Sequence, residues 1–174
     1  LVTNTTASDN VAVGRQTMYA NTTGASNTAV GAYALDANTT ASYNTAIGRS
    51  ALTSNTTGAA NVAVGVNALD ANTTASNNVA VGNSALGANT TGRRNTAVGY
   101  GANDACTIGQ YNTSMGYNAL STDVDGDYAV AIGYAALENQ ESDSANQELW
   151  NVAVGALAGA AVSSGIQNTY IGGY

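Results

Sequence analysis

Along the chain, a five-residue motif alternates polar, β-branched and small positions and closes on glycine: Asn, then Thr or Val, Ala, Val or Ile, Gly. The closing glycine falls at Gly14, Gly31, Gly48, Gly65, Gly82, Gly99, Gly116 and Gly133, a constant step of 17. The next is Gly155, a step of 22, and then Gly172, a step of 17 again, so five residues are inserted once. Alternation with period two predicts a short strand at each motif, and the glycine admits a turn with positive φ. A second apolar pair follows after about two residues, as in Ala34-Leu35, Ala51-Leu52, Ala68-Leu69, Ala85-Leu86 and Ala119-Leu120, and predicts a second short strand. "NTTG" or "NTTA" then turns the chain back, since Asn and Thr side chains bond to nearby backbone.

Self-similarity at a fixed short period marks a solenoid. The expected fold is all-β, a parallel β-solenoid or β-roll of about ten 17-residue coils. Regular coils occupy residues 1–137, an acidic insertion residues 138–150, and the last two coils residues 151–174. Stacking places Asn27, Asn44, Asn61, Asn78, Asn95 and Asn112 in one column and Asn21, Asn38, Asn55, Asn72 and Asn89 in another. Amide side chains in such columns bond to their counterparts above and below. Gly31, Gly48, Gly65, Gly82, Gly99 and Gly116 form a third structural column. The strongly apolar positions of each coil are one Val or Ile (Val30, Ile47, Val64, Val81, Val98) and one Leu. That is little burial against the entropy of ordering a whole coil, so a partner chain packing on the Ala or the Val/Thr face is expected to supply more.

Composition narrows the function classes. The chain has 174 residues, 20 Gly, one Cys, and no Pro, Phe or His. Its only cations are Arg15, Arg49, Arg93 and Arg94, against 11 acids, which argues against a nucleic-acid partner. Residues 1–100 carry these four Arg with Asp9, Asp36 and Asp70, a net of +1, whereas residues 101–174 carry eight acids and no base. One Cys allows no internal disulfide, and no apolar run is long enough for a membrane span or a signal peptide, so any such signal is expected outside this stretch.

The pattern N-T-A-V-G-x-x-A-L-x-x-N-T-T-G-x-x-N at period 17 resembles the repeats of phage tail-fibre and bacterial surface-fibre proteins. It is similar, more distantly, to the N-[ST]-[VA]-A-I-G repeats of YadA-like heads in trimeric autotransporter adhesins. The likeness is tight over residues 4–100 and decays over 101–174. It implies a left-handed roll, three chains side by side as a homotrimer, and a place in a virion tail fibre or at the extracellular cell surface. The partners it implies are the chain's own copies, other fibre or virion proteins, and a host-surface glycan or protein receptor. The adhesin heads use shorter repeats, and a coiled-coil stalk, membrane anchor and C-terminal chaperone do not occur in these residues.

Candidate recognition residues collect where the repeat decays. Tyr100, Tyr117 and Tyr134 follow the coil glycine at successive steps of 17, where earlier coils carry Arg15, Ala32, Arg49, Val66 and Asn83. Tyr111, Tyr128 and, across the insertion, Trp150 form a second column just before the strand. Aromatic rows beside acids suit a carbohydrate-binding face, and the same rows equally stabilise a solenoid by stacking alone. The insertion "ENQESDSANQELW" is either a binding loop or a solvated bulge.

For metals, Asp123, Asp125 and Asp127 in "DVDGD" place three carboxylates in five residues, but without calcium-loop spacing, and Tyr134 stands where such a loop needs Glu. No metal or cofactor is therefore expected. Cys106 takes an Asn-column position and has no His to activate it. Catalysis would require a carboxylate pair, and no spacing among Asp123, Asp125, Glu138 and Glu141 selects one.

The function expected from these residues is a non-enzymatic structural and adhesive segment of a trimeric fibre that supports host or receptor attachment. The alternatives are an ice-binding solenoid, using the Thr22 and Thr23 columns, and a glycan-degrading tail protein. Neighbouring Thr in a strand point to opposite sides, which counts against one flat ice-binding face.

Overall fold

The computed structural model describes residues 3–173. Among these, ten three-residue strands form one sheet in sequence order: β1 (Val11–Val13), β2 (Thr28–Val30), β3 (Thr45–Ile47), β4 (Val62–Val64), β5 (Val79–Val81), β6 (Thr96–Val98), β7 (Thr113–Met115), β8 (Val130–Ile132), β9 (Val152–Val154) and β10 (Thr169–Ile171). Every neighbouring pair is parallel and in exact repeat register: Ala29 lies beside Ala46, and Ala46 beside Ala63. The register holds across the insertion, where Ala131 lies beside Ala153. The protein is a parallel β-solenoid of about nine turns, and no helix occurs among the described residues.

Period two decides what each coil buries. In coil 2, Asn27 and Ala29 point inward, while Thr28 and Val30 point outward. Ala29, Ala46, Ala63, Ala80 and Ala97 are fully buried, whereas Val30 and Ile47 remain 36% and 41% exposed. Of the two strand faces that the alternation leaves open, the Ala face is therefore the one turned into the core, and the Val/Ile column lies outside it. The lumen already holds a Leu column (Leu35, Leu52, Leu69, Leu86) from the opposite wall together with two Asn columns. What space remains beside the strand admits only a methyl group.

The expected second strand at Ala-Leu is not formed. Each of these leucines has a left-handed backbone, with φ of 51° at Leu35, 52° at Leu52 and 52° at Leu69, within a continuous turn. A β-branched or bulky residue reaches this region only where its surroundings hold it. Here the hold is the neighbouring coil: the Leu35 N–H donates to the Ala51 carbonyl at 3.0 Å and that of Leu52 to Ala68 at 3.0 Å. Tyr33 (φ 63°) likewise donates to the Arg15 carbonyl at 2.9 Å. The inter-coil ladder thus runs through the turns as well as the strands, which is how a three-residue strand suffices. The glycine column after each strand marks a close approach between coils. Gly65 has φ +141°, and a Cβ there would lie 2.3 Å from the Gly82 carbonyl oxygen.

The two asparagine columns are hydrogen-bonded ladders. In the first, each side-chain oxygen accepts the backbone N–H of the asparagine one coil on: Asn27 from Asn44 at 2.9 Å, Asn44 from Asn61 at 2.9 Å, Asn78 from Asn95 at 2.8 Å. Asn112 serves Ala129 in the same way at 2.8 Å, and beyond the insertion the column resumes, with Asn151 accepting the Asn168 N–H at 2.8 Å. In the second, the Asn38 amide donates to Asn21 Oδ1 at 2.7 Å and to the Ala41 carbonyl at 3.0 Å. These amides are fully buried and carry an internal polar network that pins the register coil by coil.

Regularity ends at the sixth coil. Asn103 replaces the inward Leu, Cys106 the second-column Asn, and Ser114 the strand Ala. One apolar cluster runs from Met18 to Cys106 and a separate one from Ala119 to Ala158. The second Asn column continues as Asp123 and Gln140, both buried. Residues 138–150 lie back on the preceding coil: Asp127 pairs with Glu148, and Leu149 is buried beneath them.

Candidate functional site

The outward face of the sheet is a strip of side chains two columns wide, Thr/Val and Val/Ile/Met, running the length of the ten strands. Val11, Val13, Val30, Ile47, Met115, Val154 and Ile171 are its most exposed aliphatic members. Two further columns flank it, one two residues before each strand and one two residues after.

Over coils 6 to 9 the flanking columns are aromatic. Tyr100 stacks on Tyr117 with ring centroids 5.3 Å apart and planes 10° apart, and Tyr117 on Tyr134 at 5.5 Å and 14°. On the other flank Tyr111 stacks on Tyr128 at 4.9 Å, and Tyr128 on Trp150 at 4.4 Å and 2°. The Arg94 guanidinium lies over the Tyr111 ring at 5.2 Å and donates to its hydroxyl, extending that ladder by a cation. The rings stack along the solenoid axis, so most of their faces meet one another and their rims and hydroxyls meet solvent. A sugar stacks on a ring face. Of the Tyr100, Tyr117 and Tyr134 column, the open faces are at its ends, beside Asn83 and Ala156.

The acidic residues beside these ladders do not converge. Asp123 is buried, with Oδ1 accepting the Ser142 N–H at 3.0 Å. Burial holds its carboxyl above the ordinary carboxylate range, against the lowering effect of its bonds from Ser142 and Gly126. Asp125 accepts the Ser142 hydroxyl, and Asp127 Oδ1 accepts the Gln110 N–H at 2.7 Å. Glu148 accepts the Trp150 indole N–H at 3.1 Å. Asp123 and Asp125 meet only through Ser142, Asp127 and Glu148 are engaged elsewhere, and no group of three metal-ligating side chains lies together among the described residues. The described residues also enclose no pocket. Cys106 is buried, and burial pushes its thiol up to about 12, the wrong direction for a nucleophile.

The Thr columns have a structural use. Thr22, Thr39, Thr56 and Thr73 each donate the hydroxyl to the carbonyl of their counterpart one coil on, at 3.0 to 3.2 Å. Thr23, Thr40, Thr57, Thr74 and Thr91 are exposed, at a bend rather than in a sheet.

Sequence reasoning overlooked Asn103. Its amide is 1% exposed, with neither nitrogen nor oxygen hydrogen-bonded, and Asn89 Oδ1 is also unpaired, because Cys106 offers it no amide. The signal was the Leu column at step 17, which reads Leu69, Leu86, Asn103, Leu120.

Comparison of the chain with protein-family models, with curated proteins and with solved structures finds no match.

Proposed function

We propose that this chain is a non-enzymatic shaft or head segment of a trimeric fibre, three parallel copies side by side, that supports attachment of a virion or a cell surface to its host or receptor. The observation that carries the reading is the outward strip: an uninterrupted row of β-branched and aliphatic side chains outside a solenoid whose lumen is already full. At about 4.8 Å per coil and about 20 Å from flank to flank, ten coils present on the order of 1,000 Å² per chain, the scale of a stable protein interface. The likeness to fibre repeats supports three copies and a left-handed roll. A rod of roughly 45 to 50 Å, built of one repeated coil, suits a spacer that holds an attachment surface away from a particle. Recognition of a host-surface glycan or protein is assigned to coils 6 to 9, whose flanks are aromatic and whose surroundings are acidic.

Putting charge on the strip tests this. Val64→Glu with Val81→Glu is expected to leave the far-UV circular dichroism unchanged, since both side chains point outward, and to abolish self-association. A double variant that keeps its multi-chain mass would remove the strip from the interface and leave the reading without its main support. The ice-binding alternative is separated by watching ice growth in dilute protein, which a fibre segment leaves unshaped.

A further inference from the structure

Every stacked ring in the two flanking columns is a phenol or an indole. The chain has ten Tyr, one Trp and no Phe, although Phe would serve stacking alone equally well. In the Tyr100, Tyr117 and Tyr134 column the rings are 55%, 48% and 55% exposed and lie 5.3 and 5.5 Å apart, with planes within 14° of parallel. Their hydroxyls, and the ortho carbons beside them, stand at the open rim one coil from their counterparts. Tyr43 is the most exposed tyrosine among the described residues, at 70%, and has no such neighbour, since Ser26 and Ala60 hold its column one coil to either side. The stacked rings also sit on the coils whose interior is least continuous. There Asn103, Cys106, Ser114 and Asp123 interrupt the inward columns, and the apolar core divides between Cys106 and Ala119. A covalent tie between coils acts most where the side-chain columns hold least.

We propose that the Tyr100, Tyr117 and Tyr134 column is an oxidative cross-linking site, at which a peroxide-driven one-electron oxidant joins tyrosines of adjacent coils as dityrosine. Each of two phenols gives up one electron and its hydroxyl proton. The two radicals form a carbon–carbon bond between ortho carbons, and the hydrogens on those carbons move to the phenolic oxygens. In all, two electrons and two protons pass to hydrogen peroxide, which leaves as two waters. The column supplies the second ring at contact distance, so coupling needs no encounter between chains. Cys106, the chain's one thiol, is buried and does not compete for the oxidant. Tyr117 has a ring on either side, and its bridge to Tyr100 or to Tyr134 closes a loop of 17 residues that constrains the unfolded chain. Because the bridge lies within one chain, it goes beyond the attachment reading and stands or falls separately from it.

The test treats the full chain, in dilute solution, with a haem peroxidase and limiting hydrogen peroxide. The expected product runs as one chain on a denaturing gel, has lost two hydrogen atoms by intact mass and gives dityrosine fluorescence. Cleavage at aspartate separates Tyr100, the one tyrosine of residues 70–103, from Tyr117 in residues 104–122, so a bridged pair appears as these two peptides joined. Tyr117→Phe keeps the stacked ring and is expected to abolish that joined product, whereas Tyr43→Phe is expected to leave it unchanged. Oxidised chain is expected to melt about 5 to 10 °C higher than untreated chain, and Tyr117→Phe to lose most of that gain. Bridges found only between chains, or the same joined product from Tyr117→Phe, would overturn the proposal. So would a chain left unbridged under conditions that couple free tyrosine. None of these results bears on the multi-chain mass, and a single-chain mass would leave the bridge intact.

Discussion

Coils 2 to 5 and coils 6 to 9 share one backbone path and differ in what fills it. In the first group every inward position repeats: Ala, Leu and two asparagines, each amide bonded to the coil beside it. In the second, Asn103, Cys106, Ser114, Asp123 and Gln140 interrupt those columns, and stacked tyrosines appear outside. The backbone ladder crosses the junction unbroken, with β6 and β7 paired residue for residue. Hydrogen bonds between backbones set the solenoid's shape, and side-chain columns set how firmly each stretch of it is held.

The contrast can be broken from either side. The largest effect is expected from Asn55→Asp, which puts an unpaired charge in the intact ladder, where the Asn55 amide donates to Asn38 Oδ1 at 3.2 Å and to the Gly58 carbonyl at 2.9 Å. A loss of about 3 kcal/mol or more by chemical denaturation is expected, and a loss under 1 kcal/mol would deny the ladder its role. The opposite change, Asn103→Leu, mends the second region by removing two unpaired polar atoms and joining the two apolar clusters. It is expected to stabilise by about 2 kcal/mol.

Tyr128→Ala takes the middle ring from a ladder that stacks on both sides. It is expected to cost about 1 to 2 kcal/mol, with a blue or red shift in the emission of Trp150, the only tryptophan. The smallest effect is that of pH. Burial holds Asp36, Asp70, Asp104, Asp123 and Asp127 above their ordinary value of 3.8. A carboxyl raised on folding binds its proton more tightly in the native state, so its contribution is fully present below 3.8 and is lost as pH rises through the raised value. The melting temperature is therefore expected to rise modestly as pH falls from 7 toward 4. Asp123→Asn should flatten that dependence most, since Asp123 is the most deeply buried of the five.

The repeat was legible because its glycines and asparagines recur at a step of 17 that is broken only once, and each has one physical use, a positive φ or an amide bond to the next coil. The inward direction of the strand was not, since alternation gives two faces and hydrophobicity favours Val30 over Ala29 for the core. The lumen's width reverses that choice, and width comes from the opposite wall, where Leu35 and Asn38 already stand. The leucines' left-handed backbone was hidden for a related reason: nothing local favours it, and only the carbonyl of the adjacent coil holds it. Among the site residues, the tyrosine columns could be placed by counting. That their faces are spent on one another follows from coil spacing, close to the thickness of stacked rings.

The most direct test of the central claim, that this solenoid works as one of three parallel chains, is the solution mass of the purified chain by light scattering, from well below to well above micromolar concentration. A mass of three chains that persists on dilution is the expected result. A stable single-chain mass across that range would contradict it, because the outward strip would then stand in water without a partner.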